Sequence, residues 1–308
     1  MKELLEKIAI SNTDERLEKI IDILDDWDFD FKLQTTEYTF PIFDWLMLNK
    51  KFHYFDDDEI NEVINDEENE IFESDFHKEY TRNLIISFNS QIIKDRIILS
   101  AHYDIVNGSM GANDNGSSIV ILLKLAKYLK EKNTKLPIDI VFFDKEECGS
   151  KGCSDFIDEY KEKIKVAINL DVCGCGENIV ILDECKDSDI PLNIINKAKE
   201  NGFIFTDLFP YGDARMMSEK GVNNISISVF PNKDTEILKN IKFDIEIKQK
   251  LKNHENYSLT LLEAKRNLNV NFFSMELFKY MHNGIYDDIK YINFDIMNDI
   301  LSFLKTVF

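Results

Sequence analysis

Short apolar runs alternate with longer amphipathic segments along most of the chain. The apolar runs predict buried strands at 83–88, 97–100, 138–143, 166–170, 178–182, 203–206 and 225–229, and strict alternation predicts one more at 31–40. Apolar residues at helical spacing predict helices at 13–27, 117–130, 150–161, 191–201, 213–220 and 291–304. Strands that alternate with helices predict an α/β fold, with a mixed, largely parallel central sheet flanked by helices on both faces. We expect the strands at 83–88 and 97–100 to be neighbours in this sheet, because only a short segment separates them.

Two regions carry little chemistry of their own. Residues 1–82 predict an N-terminal extension with a helix and a strand, and Asn12-Thr-Asp-Glu15 forms a capping-box pattern before that helix. Residues 231–272 are rich in Lys, Asn and Glu and show helical spacing without a cluster of metal-ligand side chains. We expect a lid insertion there. The chain as a whole is expected to form one domain over 1–308.

The charge balance argues against several classes of partner. The 308 residues carry a formal net charge of −20, whereas nucleic acids and anionic membranes are bound by surfaces rich in Lys and Arg. No apolar run reaches the roughly 18 residues of a membrane-spanning helix, and the first residues lack the apolar core of a signal peptide. Five scattered cysteines favour reduced thiols over a disulfide framework. We therefore expect a cytoplasmic protein that binds neither nucleic acid nor membrane, and its oligomeric state is left open.

Imidazole and carboxylate side chains follow the predicted strands where each one ends. In open α/β sheets this edge, at the carboxyl ends of the strands, is where sites form. Two histidines and several carboxylates suit a pair of zinc ions. Such a pair needs one carboxylate that bridges both ions and another that stays unligated as a general base. The candidates, in chain order, are His102, Asp104, Asp114, Glu146, Glu147, Asp171 and His282.

The order and spacing of these residues resemble the co-catalytic di-zinc aminopeptidase family. This family belongs to the zinc exopeptidase superfamily, which also contains glutaminyl cyclases and the transferrin-receptor ectodomain, and the resemblance implies a zinc-exopeptidase (phosphorylase/hydrolase-like) fold. It covers roughly residues 83–305. The motifs that carry it are Ala101-His-Tyr-Asp104, Gly111-Ala-Asn-Asp-Asn-Gly-Ser117, Glu146-Glu-Cys-Gly149, Asn169-Leu-Asp171, the stretch 212–221 and Met281-His-Asn-Gly-Ile-Tyr-Asp287.

The resemblance implies a role for each candidate residue. His102, Asp114 and Asp171 would hold one zinc ion, with Asp114 as the bridge. Glu147 and His282 would complete the second ion. Glu146 would be the general base, and Asp104 would orient His102 through its other ring nitrogen. The implied activity is the hydrolysis of N-terminal peptide bonds in substrates with a free amino terminus.

Three alternatives stay open at this point. Glutaminyl cyclisation, or hydrolysis of another amide, would use the same fold, and the cyclases of this superfamily typically use one zinc ion. A non-catalytic binding domain, like the receptor members, is the second alternative, although retention of all the proposed ligands and of Glu146 argues against it. The third concerns the last ligand, for which His254 competes with His282. The turn and closing helix that follow His282 favour it over the polar surroundings of His254.

Overall fold

One mixed sheet organises the part of the chain that the computed structural model describes, which is residues 1–41, 76–183, 194–206, 212–240, 275–282 and 286–308. The strands are β1 (Lys32–Pro41), β2 (Phe76–Phe88), β3 (Arg96–His102), β4 (Ile138–Phe143), β5 (Ile164–Leu170), β6 (Asn178–Asp183), β7 (Ile204–Thr206) and β8 (Asn224–Phe230). Their order in the sheet is β1-β2-β4-β3-β5-β8-β6-β7. The four central strands β4, β3, β5 and β8 run parallel. The pairs β1–β2, β2–β4 and β6–β8 are antiparallel, and β7 runs parallel to β6.

Helices cover both faces of the sheet. Ile97 and Leu99 of β3 belong to a large apolar cluster that also contains residues of α1, α2, α3 and α8. Ile98, which points to the opposite face, packs in a second cluster with residues of α4 and α6. The helices are α1 (Lys2–Ile8), α2 (Thr13–Asp26), α3 (Ser118–Glu131), α4 (Lys151–Tyr160), α5 (Ile194–Glu200), α6 (Asp213–Glu219), α7 (Asn232–Asn240) and α8 (Phe294–Val307).

The predicted fold class is confirmed: the sheet is mixed and largely parallel, with helices on both sides. The helix predicted at 13–27 is α2, and the capping signal before it is real, because Asn12 Oδ1 accepts a hydrogen bond from Glu15 N at 2.9 Å. Within the described ranges, no helix combines the length and apolar character needed to cross a membrane.

The predicted pairing of the strands at 83–88 and 97–100 is wrong. The two strands are β2 and β3, and β4 lies between them, with Leu84 of β2 opposite Phe142 and His102 of β3 opposite Phe143. Asp139 of β4 bonds to both flanking strands: its carboxylate forms a buried ion pair with Arg96 of β3 and accepts from Ser87 Oγ of β2 at 2.6 Å. Consecutive strands are neighbours in only about two thirds of cases.

Helix α1 was not predicted, although Leu4, Leu5 and Ile8 bury one of its faces. In the region of the predicted lid, residues 232–240 form α7. The remaining residues of the lid prediction, from 241 to 272, and His254 among them, lie outside the described residues. The lid therefore stays a prediction.

Candidate metal centre

The parallel strands bring the predicted site residues to one edge of the sheet. His102 is the last residue of β3, and Asp104 follows it by two positions. Glu146 and Glu147 lie in the turn after β4, and Asp171 directly follows β5. Because β3 pairs in parallel with both β4 and β5, these strand ends lie side by side.

Asp114 arrives on a loop held by hydrogen bonds rather than on a strand. The loop precedes α3, and the carboxylate of Asp287 binds it: Oδ1 accepts from the backbone N–H groups of Asn113 at 2.6 Å and Asp114 at 3.3 Å. Oδ2 of Asp287 accepts from Ser109 Oγ at 2.6 Å. These contacts aim the Asp114 side chain at the strand ends.

The two oxygens of Asp114 face two different histidines. Oδ1 lies 3.1 Å from His102 Nε2, and Oδ2 lies 3.6 Å from His282 Nε2. Each histidine faces one further carboxylate: His102 Nε2 lies 3.5 Å from Asp171 Oδ1, and His282 Nε2 lies 3.4 Å from Glu147 Oε2. The five predicted ligand residues therefore form two groups of donors that share Asp114.

These distances fit a tetrahedral metal site. Two donors that share a zinc ion at about 2.0–2.1 Å lie about 3.3 Å from each other. Donor atoms of His102, Asp114 and Glu147, which belong to both groups, lie within 4.8 Å of one another, so the two donor groups adjoin. In addition, Oδ1 of Asp171 is buried, and none of the described residues donates a hydrogen bond to it. Imidazole and carboxylate donors in this arrangement suit zinc.

His282 reaches the site from the segment that follows β8 and α7. Its side chain is 49% exposed, and its backbone adopts a left-handed φ of 53°. The backbone N–H of His282 donates to Asp114 Oδ2 at 3.3 Å. The segment that bears the last predicted ligand is thus bonded to the predicted bridging residue.

Asp104 holds the two glutamates in place as well as contacting His102. Its Oδ1 accepts from Glu146 N and its Oδ2 from Glu147 N, both at 3.0 Å. Nδ1 of His102 lies 3.4 Å from Asp104 Oδ1 and 3.2 Å from the Asp104 backbone oxygen. One carboxylate therefore orients an imidazole and the adjacent turn.

The side chains of Glu146 and Glu147 point to different places. Glu147 is buried and faces His282, as described above. Glu146 keeps some solvent exposure, but its carboxylate is closely surrounded: Oε1 approaches Gly212 so closely that a Cβ added there would lie 2.9 Å away. The same Cβ would lie 3.7 Å from Asp171 Oδ2, so Glu146 borders the Asp171 side of the site.

Negative charge is in excess at this edge. Burial, reinforced by neighbouring carboxylates, raises the pKa of Glu146 and of Glu147 well above the ordinary range, and burial also raises the pKa of Asp171. Burial alone would raise the pKa of Asp114, but hydrogen bonding and charge from His102 and His282 lower it. Against the effect of burial, these carboxylates raise the pKa of His102 well above its usual value. A bound cation would offset the repulsion among these carboxylates.

Three residues contribute here without having been given a role from the sequence. Asp287 binds the Asp114 loop, and Arg16 of α2 donates to the backbone at the start of the same loop. Asp213, buried at the start of α6, has a pKa raised to about 7 by burial and neighbouring carboxylates. The sequence could have indicated that Arg16 is buried, because it lies four residues before Ile20 on the apolar face of an amphipathic helix.

Comparisons with known proteins agree with this geometry. Residues 83–259 match the family model of Peptidase family M28. The chain is similar to Aminopeptidase YwaD of Bacillus subtilis, with 36% identity over 105 residues, which is 32% of this chain and 23% of that protein. It is also similar to the vacuolar membrane protease of Meyerozyma guilliermondii, with 34% identity over 106 residues, which is 33% of this chain and 11% of that protein. The matched stretch thus spans less than a quarter of either relative.

Solved structures share the fold. The glutaminyl cyclase of Porphyromonas gingivalis superposes with a TM-score of 0.60 at 17% identity, covering 99% of this chain and 95% of that one. The zinc aminopeptidase BSAP of Bacillus subtilis superposes with a TM-score of 0.52 at 18% identity, covering 75% of this chain and 51% of that one. The described strands and helices thus follow the fold of zinc aminopeptidases and glutaminyl cyclases.

We expect Asp287→Ala to destabilise the zinc-free protein by about 1–3 kcal/mol, because it leaves the buried N–H groups of Asn113 and Asp114 without their acceptor. Asp288→Ala is the matched control. Asp288 is more exposed and accepts from Lys290 N at the start of a short helical turn, so its loss should cost less than about 1 kcal/mol. Urea unfolding of both variants measures the difference, and equal losses would contradict the role given to Asp287.

Proposed function

This chain belongs to Peptidase family M28, and from that premise we propose that it is a zinc-dependent aminopeptidase that removes residues from the free amino termini of peptides. The observation that carries the proposal is the placement of Asp114, whose two oxygens face His102 and His282 separately. A carboxylate between two donor groups is what a pair of metal ions requires.

The chain supplies the ligands for both ions. His102 and Asp171 would hold one ion and His282 and Glu147 the other, with Asp114 shared between them. When bound, the ions would supply Lewis acidity that polarises the scissile carbonyl and lowers the pKa of water towards neutrality. Asp104 would keep His102 and the Glu146-Glu147 turn in the required orientation.

Glu146 is the residue best placed to move a proton. It lies beside Glu147 in sequence, but its carboxylate borders Gly212 and Asp171 instead of the His282 donor group. A carboxylate at the edge of a metal site, not itself assigned as a ligand, is a usual general base for a metal-bound water. In the proposed reaction Glu146 takes a proton from the attacking water and delivers it to the nitrogen of the leaving amine.

The charge of the chain favours substrates that carry a positive amino group. Its net charge is −20. An α-ammonium group is attracted by such a field, whereas an acetylated amino terminus carries no charge.

We also propose a cytoplasmic location, in keeping with the described cysteines at 148, 153, 173 and 175, which form no disulfide.

Glutaminyl cyclisation is the rival activity, because a cyclase superposes over almost the whole length of this chain. The second donor group, His282 with Glu147 and Asp114 Oδ2, favours the aminopeptidase, because it offers a second metal position.

We expect the purified protein to bind about two zinc ions per chain and to lose activity when a chelator removes them. It should release the first residue of peptides with free amino termini and leave their N-acetylated forms intact. Metal analysis, combined with a panel of free, acetylated and N-terminal glutamine peptides, checks this. Equal cleavage of acetylated peptides, or cyclisation of the glutamine peptides without hydrolysis, would overturn the aminopeptidase proposal.

Glu146→Gln should retain both metal ions and lower kcat by roughly 10²–10⁴-fold, which is the usual contribution of a general base. Glu147→Gln serves as the matched variant, since it makes the same change one residue away. It should reduce metal occupancy instead, because Glu147 faces His282. Zinc content and kcat of the two variants separate the roles, and the reverse pattern would mean that the two glutamates are assigned in the wrong order.

His282→Ala should cost one metal ion per chain and most of the activity, because it removes a donor from the Glu147 group. His254→Ala is the control, and we expect it to be nearly silent. Both variants are assayed for zinc content and turnover. Loss of metal from the His254 variant alone would show that the last ligand is His254.

A further inference from the structure

Arg16 is a fully buried cation on α2, with 0% of its surface exposed. It lies outside residues 83–259, the part of the chain that matches the peptidase family. Its side chain leaves the apolar face of the helix and ends against the loop that carries Asp114. A charge in this position needs bonding partners, because burying an unpaired cation costs far more than burying an apolar side chain.

The guanidinium of Arg16 binds backbone oxygens from three separate segments. Nη2 donates to Met110 O at 2.8 Å and to Gly111 O at 3.0 Å. Nη1 donates to Tyr103 O at 3.4 Å, one residue after His102, and Nε donates to Ile8 O at the end of α1 at 2.9 Å. One planar fork therefore joins the end of β3, the start of the Asp114 loop and the N-terminal helix.

The loop is shaped to receive this group. Gly111 adopts a left-handed φ of 54°, and a Cβ there would collide with the guanidinium nitrogens of Arg16. The Gly111 oxygen also accepts from Gly116 N at 3.0 Å, which closes the turn around Asp114. The side chain of Arg16 and the backbone of the loop are in direct contact at this point.

The positive charge of Arg16 interacts with the carboxylates around this loop. Burial lowers its pKa to about 10, and the charges of Asp287, Asp114, Asp104 and Glu147 oppose that effect, so the guanidinium stays protonated at neutral pH. A fixed cation behind crowded carboxylates reduces their mutual repulsion.

We propose that Arg16 is a positioning residue that holds the Asp114 loop in its metal-binding arrangement before the metal arrives. This inference rests on the proposed zinc site and adds to it a requirement for the N-terminal helix. Groups that orient metal ligands commonly change metal affinity by 10–100-fold when they are removed. A merely structural arginine would lower the melting temperature and leave the zinc affinity of the folded protein unchanged.

The test compares zinc affinity with stability in the full chain. Arg16→Lys keeps the charge but cannot span three segments, and Arg16→Met removes the charge as well. Lys19→Met, on the exposed side of the same helix, is the matched control. We expect competition with a chromophoric zinc chelator to show about a tenfold or larger loss of affinity in folded Arg16→Lys and no more than a twofold change in Lys19→Met. Wild-type affinity in folded Arg16→Lys would overturn the proposal.

A second measurement uses only the wild-type protein, so the proposal stays testable if the Arg16 variants do not fold. Hydrogen exchange is followed in zinc-free protein on peptides that cover residues 103–117. We expect slow exchange there, because the loop is already held. Exchange as fast as in an unstructured peptide would overturn the proposal. A wild-type protein that binds no zinc would instead contradict the proposed function, so the two failures are distinguishable.

Discussion

The crowding of carboxylates at the carboxyl edge of the parallel strands is the constraint on which the rest of the site depends. Like charges at this density repel, so the segments that carry them must be held by other bonds. A second row of acceptors and donors does this work: Asp104 binds the backbone of the Glu146-Glu147 turn, Asp287 binds the loop of Asp114, and Arg16 binds the start of that loop. These three side chains hold the backbone of the site, while the side chains of the proposed ligands remain available to a metal.

The two neighbouring glutamates show how this arrangement separates functions within one turn. Both backbone N–H groups are fixed by the same carboxylate, that of Asp104, so the turn cannot rotate to exchange them. The side chain of Glu147 then faces the His282 donor group, and that of Glu146 lies against Gly212. The roles we propose, metal ligand for Glu147 and general base for Glu146, therefore fall to two side chains that point to different places.

Local patterns in the sequence predict much of this molecule, since apolar runs and helical spacing locate most of the described strands and helices. The predicted ligand residues come together because parallel strands end at one edge, which is a general property of such sheets. The wrong pairing of β2 with β3 and the missed role of Arg16 share a physical cause. The pattern of buried positions does not specify which partner a buried polar group contacts. The ion pair of Arg96 with Asp139 joins β3 to β4 across 43 residues, and Arg16 reaches its acceptors at Tyr103, Met110 and Gly111 only after some 90 residues have folded back.

A long-range contact of the same kind helps to position His282, the proposed last ligand. Asp234 of α7 is buried, and its carboxylate accepts from Glu276 N at 2.9 Å and from Leu277 N at 2.7 Å. Asp234 thus bonds α7 to the short segment that precedes His282, and that segment packs in the apolar cluster that contains Met281. The position of His282 therefore rests on this contact and on the hydrogen bond of its own backbone N–H to Asp114 Oδ2.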